Sequence, residues 1–452
     1  MKKFSKFYFK SFKFDKNSLL AKFNYSFDND VFFTEIIDFS SNLFVTRDNI
    51  DSKITNNILF HLHIALGISY YKAFPTNDLI VESGILDDYQ IGFWKKFYSN
   101  GLGEFLYTNK ISPNGLFNFI NNSNKKYRKE IFKVSDKSLV PVGGGKDSIV
   151  SIELLKNAGI NFDLFVFGKD DFLKTSTSNI SGNNILLIKR KISDNLFNLN
   201  KLGYYNGHVP ITGLIAFVMV TVGYLYNYKY LILSNEISAN FSNTLWNYIN
   251  INHQYSKSLE FEIDFRDYVS KYISDDIKYF SLLRGMYEVK IAEYFSKFGK
   301  EYFSKFSSCN NNFKILNKSD KIKKGKHWCN NCPKCAFVFA ILRPYIDNND
   351  VITIFGEDLF ENKELETLYR ELLGITGIKP FECVGEAEEV IYSMYKSLEK
   401  YNKLPYILEI FKKEVLKKFK KYDLEKLEKK LGNIYDEDII PKEIKKLVFN
   451  NN

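Results

Sequence analysis

The sequence predicts an α/β protein built on a central doubly wound parallel sheet. An α+β region precedes the sheet and a helical region follows it. Three observations carry this. Strand-like and helix-like stretches alternate through the middle of the chain. Three consecutive glycines stand between one of those strands and the helix after it. A hydrophobic share of 45% over 452 residues supplies a large core and excludes a disordered or disulfide-stapled chain.

Residues 1–135 mix short aromatic strands with helix. The run ILFHLHIALGISYYKAF (58–74) reads as a buried helix, and Asp87-Asp88 and Asn100-Gly101 as turns. His61 and His63 lie two apart, on different faces of a helix, so they read as core or surface histidines rather than a metal pair. The opening MKKFSKFYFKSFKFDKN has no apolar stretch of the kind a secretory signal needs, and a cytoplasmic protein is expected.

Residues 136–345 carry the alternation. SLVPV (138–142) is a strand, SIVSIELLKNAG (148–159) a helix stopping at Gly159, and FDLFVFG (162–168) and NILLIKR (184–190) are strands. No charge occurs from Leu202 to Tyr228, but Pro210, Thr212, Gly213 and Thr221 interrupt the stretch. A strand, YLILSNE (230–236), follows at once, so a buried core helix is expected rather than a membrane span. Ligands of such sheets sit beyond the carboxyl ends of the strands, where GGGKDS and SNE both fall.

Residues 346–452 read as helical, with an amphipathic stretch at 364–377 and a Lys/Glu-rich tail. Glu is interleaved with Lys in that tail, which reads as a solvated helix packed by its Leu/Phe stripe rather than a nucleic-acid arm. The net charge of +10 is modest for this length and suits an anionic ligand.

Four motifs carry chemistry. In Gly143-Gly144-Gly145-Lys146-Asp147-Ser148 the glycines let backbone N–H groups wrap an anion, and the helix N-terminus adds partial positive charge. Lys146 adds a point charge and Ser148 a donor, while Asp147 either holds Mg²⁺ or orients the loop. The spacing fits neither GxxxxGK[ST] nor GxGxxG. Cys309 with Cys329, Cys332 and Cys335 has the spacing of a closed, structural tetrahedral Zn²⁺ site, with His327 as an alternative ligand to one thiol. NHQYSKSLEFE (252–262), with GHVP (207–210) and SNE (234–236), groups polar residues toward the sheet's ligand edge. Cys383, in KPFECVGE, is the one thiol outside the metal set. It is either a small buried hydrophobe or, beside Lys379, a thiolate of lowered pKa.

The glycine motif resembles the SGGxDS loop of the PP-loop ATP pyrophosphatases, with Gly143 in place of the first Ser. The combination of blocks is more specific. LVPVGGGKDSIVSIELLK, GHVPITG, SNEISAN, NHQYSKSLEFE, HWCNNCPKCAFVF, IFGEDL and GIKPFECVGE resemble the MurL family, and HLHIALGISYYKAF and GLGEFLYTNKI extend the likeness toward residue 58. The resemblance implies an ATP-dependent epimerase that inverts the terminal L-Glu of UDP-MurNAc-L-Ala-L-Glu through an acyl-adenylate, releasing AMP and pyrophosphate. It implies Gly143, Gly144, Gly145, Lys146, Asp147 and Ser148 at ATP and Mg²⁺. Proton carriers are sought among Cys383, His253, Lys257, Tyr255 and Glu236, and substrate contacts among Ser256, Arg284, Lys379 and Glu386. Arg284 reads equally as a salt-bridged residue at the edge of the core. Two other readings stand beside this one. One is a PP-loop ligase or a 7-cyano-7-deazaguanine synthase-like enzyme. The other is a zinc-stapled RNA-binding module without turnover. The epimerase reading carries no nucleic-acid partner.

Overall fold

The computed structural model describes residues 2–41, 50–168, 172–312, 327–436 and 439–449. The chain opens with an antiparallel meander, β1 (Lys6–Asp15), β2 (Leu20–Phe27) and β3 (Val31–Asp38), whose Phe and Tyr residues alternate inward. Helix α1 (Ser52–Tyr71) crosses it, started by Asp51, whose carboxylate accepts from the backbone N–H of Lys53 and Ile54. Strand β4 (Asp78–Val81), helices α2 (Asp88–Gly101) and α3 (Gly103–Thr108), and strand β5 (Asn118–Asn121) complete this half.

The expected alternation follows. Strand β6 (Ser138–Pro141) leads through the glycine loop into α4 (Lys146–Asn157). Then come β7 (Phe162–Phe167), α5 (Phe172–Ser181), β8 (Ile185–Lys191), α6 (Asp194–Lys201), α7 (Ile211–Tyr226) and β9 (Tyr230–Leu233). A small hairpin, β10 (Thr244–Trp246) and β11 (Ile249–Ile251), precedes α8 (Leu259–Tyr272), β12 (Lys278–Ser281) and α9 (Glu288–Phe298). The remainder is helical: α10 (Pro333–Leu342), α11 (Asn348–Phe355), α12 (Glu366–Leu372), α13 (Ala387–Ser397), α14 (Tyr406–Glu414), α15 (Lys421–Gly432) and α16 (Lys442–Phe449). The Lys/Glu-rich tail is two helices rather than one, and α15 buries Leu424, Leu427 and Leu431 while its charges face out.

Ten strands form one sheet in the order β12-β9-β6-β7-β8-β3-β2-β1-β4-β5. The first five are parallel. From β6 the chain winds outward through β7 to β8, then returns to the other side of β6 for β9 and β12. The gap between β6 and β9 is therefore a topological switch point. Strand neighbours alternate between two cores. Leu139, Phe165, Leu231 and Tyr279 join the cluster under α1, α7 and α8, while Val140, Leu164, Ile232 and Phe280 join the one under α4, α9 and α10. Both faces are covered, as a doubly wound sheet requires.

The expected boundary at residue 135 does not divide the sheet. Antiparallel pairing of Ile36, Ile37 and Asp38 with Lys191, Arg190 and Lys189 joins β3 to β8. Helix α7, the uncharged stretch, lies buried against α1, and among the described residues no helix is long and apolar enough to cross a membrane. His61 and His63 sit in the first core, bonded to Tyr268 Oη (2.8 Å) and to Ser83 Oγ and Asn24 O (both 3.1 Å). Burial pushes both imidazoles down to about 3, so they stay neutral.

Candidate functional site

The site lies at the carboxyl ends of β6 and β9. The glycine loop leaves β6 with Gly144 at φ +81°, and a Cβ there would stand 2.7 Å from the Leu173 side chain. Gly143, in contrast, is exposed and has nothing within 4 Å of a built Cβ. Ser148 Oγ donates back to Gly145 O (3.0 Å), closing the first turn of α4. Lys146 is fully buried and points inward, ion-paired with Asp147 and with Glu288 at the start of α9. Burial raises the Glu288 carboxyl, but Lys146 and Lys334 outweigh it and hold the group down at about 2.

Glu236 follows β9 and is buried. Desolvation, with Glu288 and Asp147 nearby, outweighs Lys257 and lifts it to about 7. Lys257 faces Cys383, Glu236, Asp147 and Glu288, and these anions outweigh its desolvation and hold it well above its ordinary value. Cys383 follows the segment from Lys379 that is pinned by Asn243 Nδ2 donating to Pro380 O (2.7 Å). Burial pushes the thiol up, but the nearby Lys257, His253 and Lys334 together bring it down to about 5. His253 is raised to about 10: its desolvation is outweighed by the Cys383 sulfur nearby and by Glu104, whose carboxylate bonds Nδ1. A thiolate and an imidazolium therefore coexist at neutral pH. Gln254 Oε1, on the same segment, is buried with no partner among the described residues, while its Nε2 donates to Val384 O (3.3 Å).

The fold thus brings together Cys383, His253, Lys257, Glu236 and the glycine loop, and buries Ser256 beside them. Three further candidates are engaged elsewhere in the fold. Tyr255 is packed on Phe261 (ring centroids 5.8 Å apart) with its hydroxyl on Asn100, so it belongs to the first core. Arg284 is fully buried and salt-bridged, which is the second of the two readings given for it above. Its guanidinium is committed to Glu262 Oε2 (2.6 Å), Glu236 O (2.9 Å) and Lys257 O (2.8 Å), and so it positions two candidate residues. Lys379 is paired with Glu386 (2.5 Å), and the cations that ionise Cys383 are Lys257, His253 and Lys334.

Sequence reasoning missed Glu104, Glu288 and Lys334 as members of the site. Lys334 Nζ bonds Cys383 O and stands 3.5 Å from Glu288, while its backbone N–H donates to Glu382 (2.8 Å). The one local signal for Lys334 is its place inside CPKC, between two of the metal-spaced cysteines.

Cys309, Cys329, Cys332 and Cys335 gather with all four sulfurs within 4.8 Å of one another, and His327 does not join them. Sulfurs on a tetrahedral ion bound at about 2.3 Å stand about 3.8 Å apart. The separations of 3.7 Å (Cys329–Cys335) and 3.5 Å (Cys332–Cys335) fit such an ion. The cluster braces the site from two sides. Ser307, two residues before Cys309, donates its N–H to Gly144 O (2.9 Å), and Lys334 sits beside Cys335.

Fold and site define an α/β enzyme with a glycine-rich loop and a buried cluster of charged groups around Cys383 at the switch point of a parallel sheet. Residues 1–282 match the MurL N-terminal domain and residues 305–423 the MurL C-terminal domain. Relatives named UDP-N-acetyl-alpha-D-muramoyl-L-alanyl-L-glutamate epimerase are 34% identical. The one from Xanthomonas oryzae aligns over 73% of this chain and 71% of its own length. Those from a Micromonospora strain and Salinispora tropica each cover 87% of this chain, and 87% and 85% of their own lengths. The chain belongs to the MurL family of epimerases.

Proposed function

We propose that this protein inverts the terminal L-Glu of UDP-MurNAc-L-Ala-L-Glu, using ATP to make an acyl-adenylate and releasing AMP and pyrophosphate in peptidoglycan precursor synthesis. The observation that carries this is the juxtaposition of an ionised Cys383 and a Glu236 poised near neutrality around Lys257, beside the glycine loop. The substrate's α-proton is weakly acidic because its carbanion would form beside a carboxylate. When the carboxylate oxygen attacks the α-phosphorus of ATP, pyrophosphate leaves and that negative charge is removed. The α-C–H electrons can then pass into the activated carbonyl, and after reprotonation on the other face water cleaves the acyl–phosphate bond, giving AMP and the free carboxylate.

Cys383 and Glu236 are the two proton carriers. The Cys383 sulfur takes or returns a proton on one face of the α-carbon and Glu236 serves the other. Each is expected to contribute about 10²–10⁴-fold. Lys257 stabilises the developing enolate between them. The loop N–H groups of Gly143, Gly144 and Gly145, with the N-terminus of α4, receive the phosphates. Asp147, half-exposed at the loop, would hold Mg²⁺, which neutralises phosphate charge. The four cysteines would hold a structural Zn²⁺. A nucleotide-linked precursor as substrate fits a cytoplasmic enzyme.

The test is incubation with ATP, Mg²⁺ and UDP-MurNAc-L-Ala-L-Glu in deuterated water, following AMP and the chirality and deuterium content of the terminal Glu. AMP with deuterated D-Glu is expected. Cys383→Ser should keep AMP release while inversion falls by about 100-fold or more. AMP without inversion in the unaltered protein would mark a ligase, and turnover only with a deazapurine acid would mark a nitrile synthase. No turnover, with salt-dependent RNA binding, would mark the binding module.

A further inference from the structure

Glu104, on α3, is carried into the site from the amino-terminal half of the chain. Its Oε2 bonds His253 Nδ1 and stands 3.3 Å from His208 Nδ1. The two imidazole rings face each other at 4.6 Å and 47°. Lys72, at the end of α1, donates to Asn206 Oδ1 (3.0 Å) and Gly207 O (2.6 Å), which turns a further cation toward His208. With Nδ1 of His253 committed to Glu104, Nε2 is the ring nitrogen left for the Cys383 sulfur. A carboxylate on one ring nitrogen and a nucleophilic atom on the other is the arrangement by which a third group orients and charges an imidazole.

We propose that Glu104 is a positioning residue that orients and charges His253, and that His253 in turn keeps the Cys383 sulfur ionised between proton transfers. The proton balance is simple. When Cys383 acts as base, S–H forms as the α-C–H bond breaks and the electron pair enters the activated carboxyl; in the reverse sense S–H breaks as C–H forms. His253 keeps its proton throughout. The charged groups facing the sulfur are Lys257, Lys334, His253 and the neighbouring Glu382. Those facing His253 are Glu104, His208 and Glu382. His208, desolvated and faced by His253 and Lys72, is held neutral and accepts no proton.

The catalytic meaning rests on the epimerase reading, whereas the ionisation can be tested without it. The chain has five histidines, so ¹³C-histidine labelling gives few ring signals, and His253→Asn assigns the relevant one. The His253 midpoint is expected near 10. It should fall by about one unit or more in Glu104→Gln, and likewise in Cys383→Ser, because each removes an anion that favours the charged ring. Glu104→Asp should recover part of the shift. The falling limb of the kcat–pH profile should move down with the midpoint. An unmoved midpoint in a folded Glu104→Gln protein would overturn the relay. So would a second equivalent of bound zinc that is lost in Glu104→Gln, since Glu104, His208 and His253 would then be metal ligands. Midpoints that move as expected in a protein that does not epimerise would leave the relay standing and remove the reaction reading instead.

Discussion

Two sets of buried charges differ in how completely their members are paired. At the seam between the sheet halves, Arg190 grips Glu35 through Nε (2.8 Å) and Nη2 (3.2 Å) and also donates to Ser69. Arg284 and Glu262 make a similar closed pair beneath the site. At the strand ends, Lys146, Lys257, Lys334 and His253 meet Asp147, Glu236, Glu288, Glu104 and Cys383, and most of them face more than one partner. Glu236 is left near 7, and so is Glu389 in the first turn of α13, which accepts from Ser238 Oγ (2.8 Å); burial lifts both first. Saturated pairs hold the scaffold. The unsaturated set has protons to exchange at neutral pH.

The largest effect that would sharpen this contrast is Arg284→Met. It strands Glu262 in the core and should cost about 3–5 kcal/mol of unfolding free energy in urea titrations. Turnover should also fall, because the carbonyls of Glu236 and Lys257 lose their donor. Arg190→Met should cost a comparable amount while leaving the turnover of the folded protein near normal. Equal loss of turnover in both would break the distinction between scaffold and site.

Glu236→Gln is next. A carboxyl raised from 4.5 to about 7 by folding is protonated in the folded chain where the unfolded chain has already ionised. Its destabilising effect is absent below pH 4.5, grows as pH rises, and is complete above about 7. At about 1.4 kcal/mol per unit, Glu236→Gln should raise stability by up to about 3 kcal/mol at pH 8. At pH 4 it should change little. Urea midpoints at the two pH values decide this, and a gain confined to pH 4 would refute the assignment.

The smallest effect is expected at the glycine loop. Gly143→Ser adds a side chain to open space and should change stability by less than about 0.5 kcal/mol. The same change at Gly144, with its positive φ and Leu173 at 2.7 Å, should be clearly destabilising. Thermal melts of the two variants, with the KM for ATP, test whether position 143 alone is free to accept another donor.

The parallel half of the fold was legible because its signals are local. Apolar runs of strand length, Gly159 at a helix end and three glycines after a strand each act within a few residues. The cysteine spacing is likewise local apart from Cys309. Joining β3 to β8 was not legible, since Ile36–Asp38 and Lys189–Lys191 are polar-flanked strand ends with no sequence mark of partnership. Nor could spacing separate Tyr255 from Lys257: both lie in NHQYSKS, and a single helical turn sends one into the core and the other toward Cys383 and Glu236.

The sequence by itself therefore determined which stretches become strands, where the anion-binding turn falls and which thiols gather, because backbone propensity and short-range spacing act along the chain. Tertiary structure alone decided the ionisation of the site. The state of Cys383 is set by His253, Lys257 and Lys334, and that of His253 by Glu104, from segments between about 50 and 280 residues from Cys383. Charge and desolvation act through space, and only the folded chain fixes those distances.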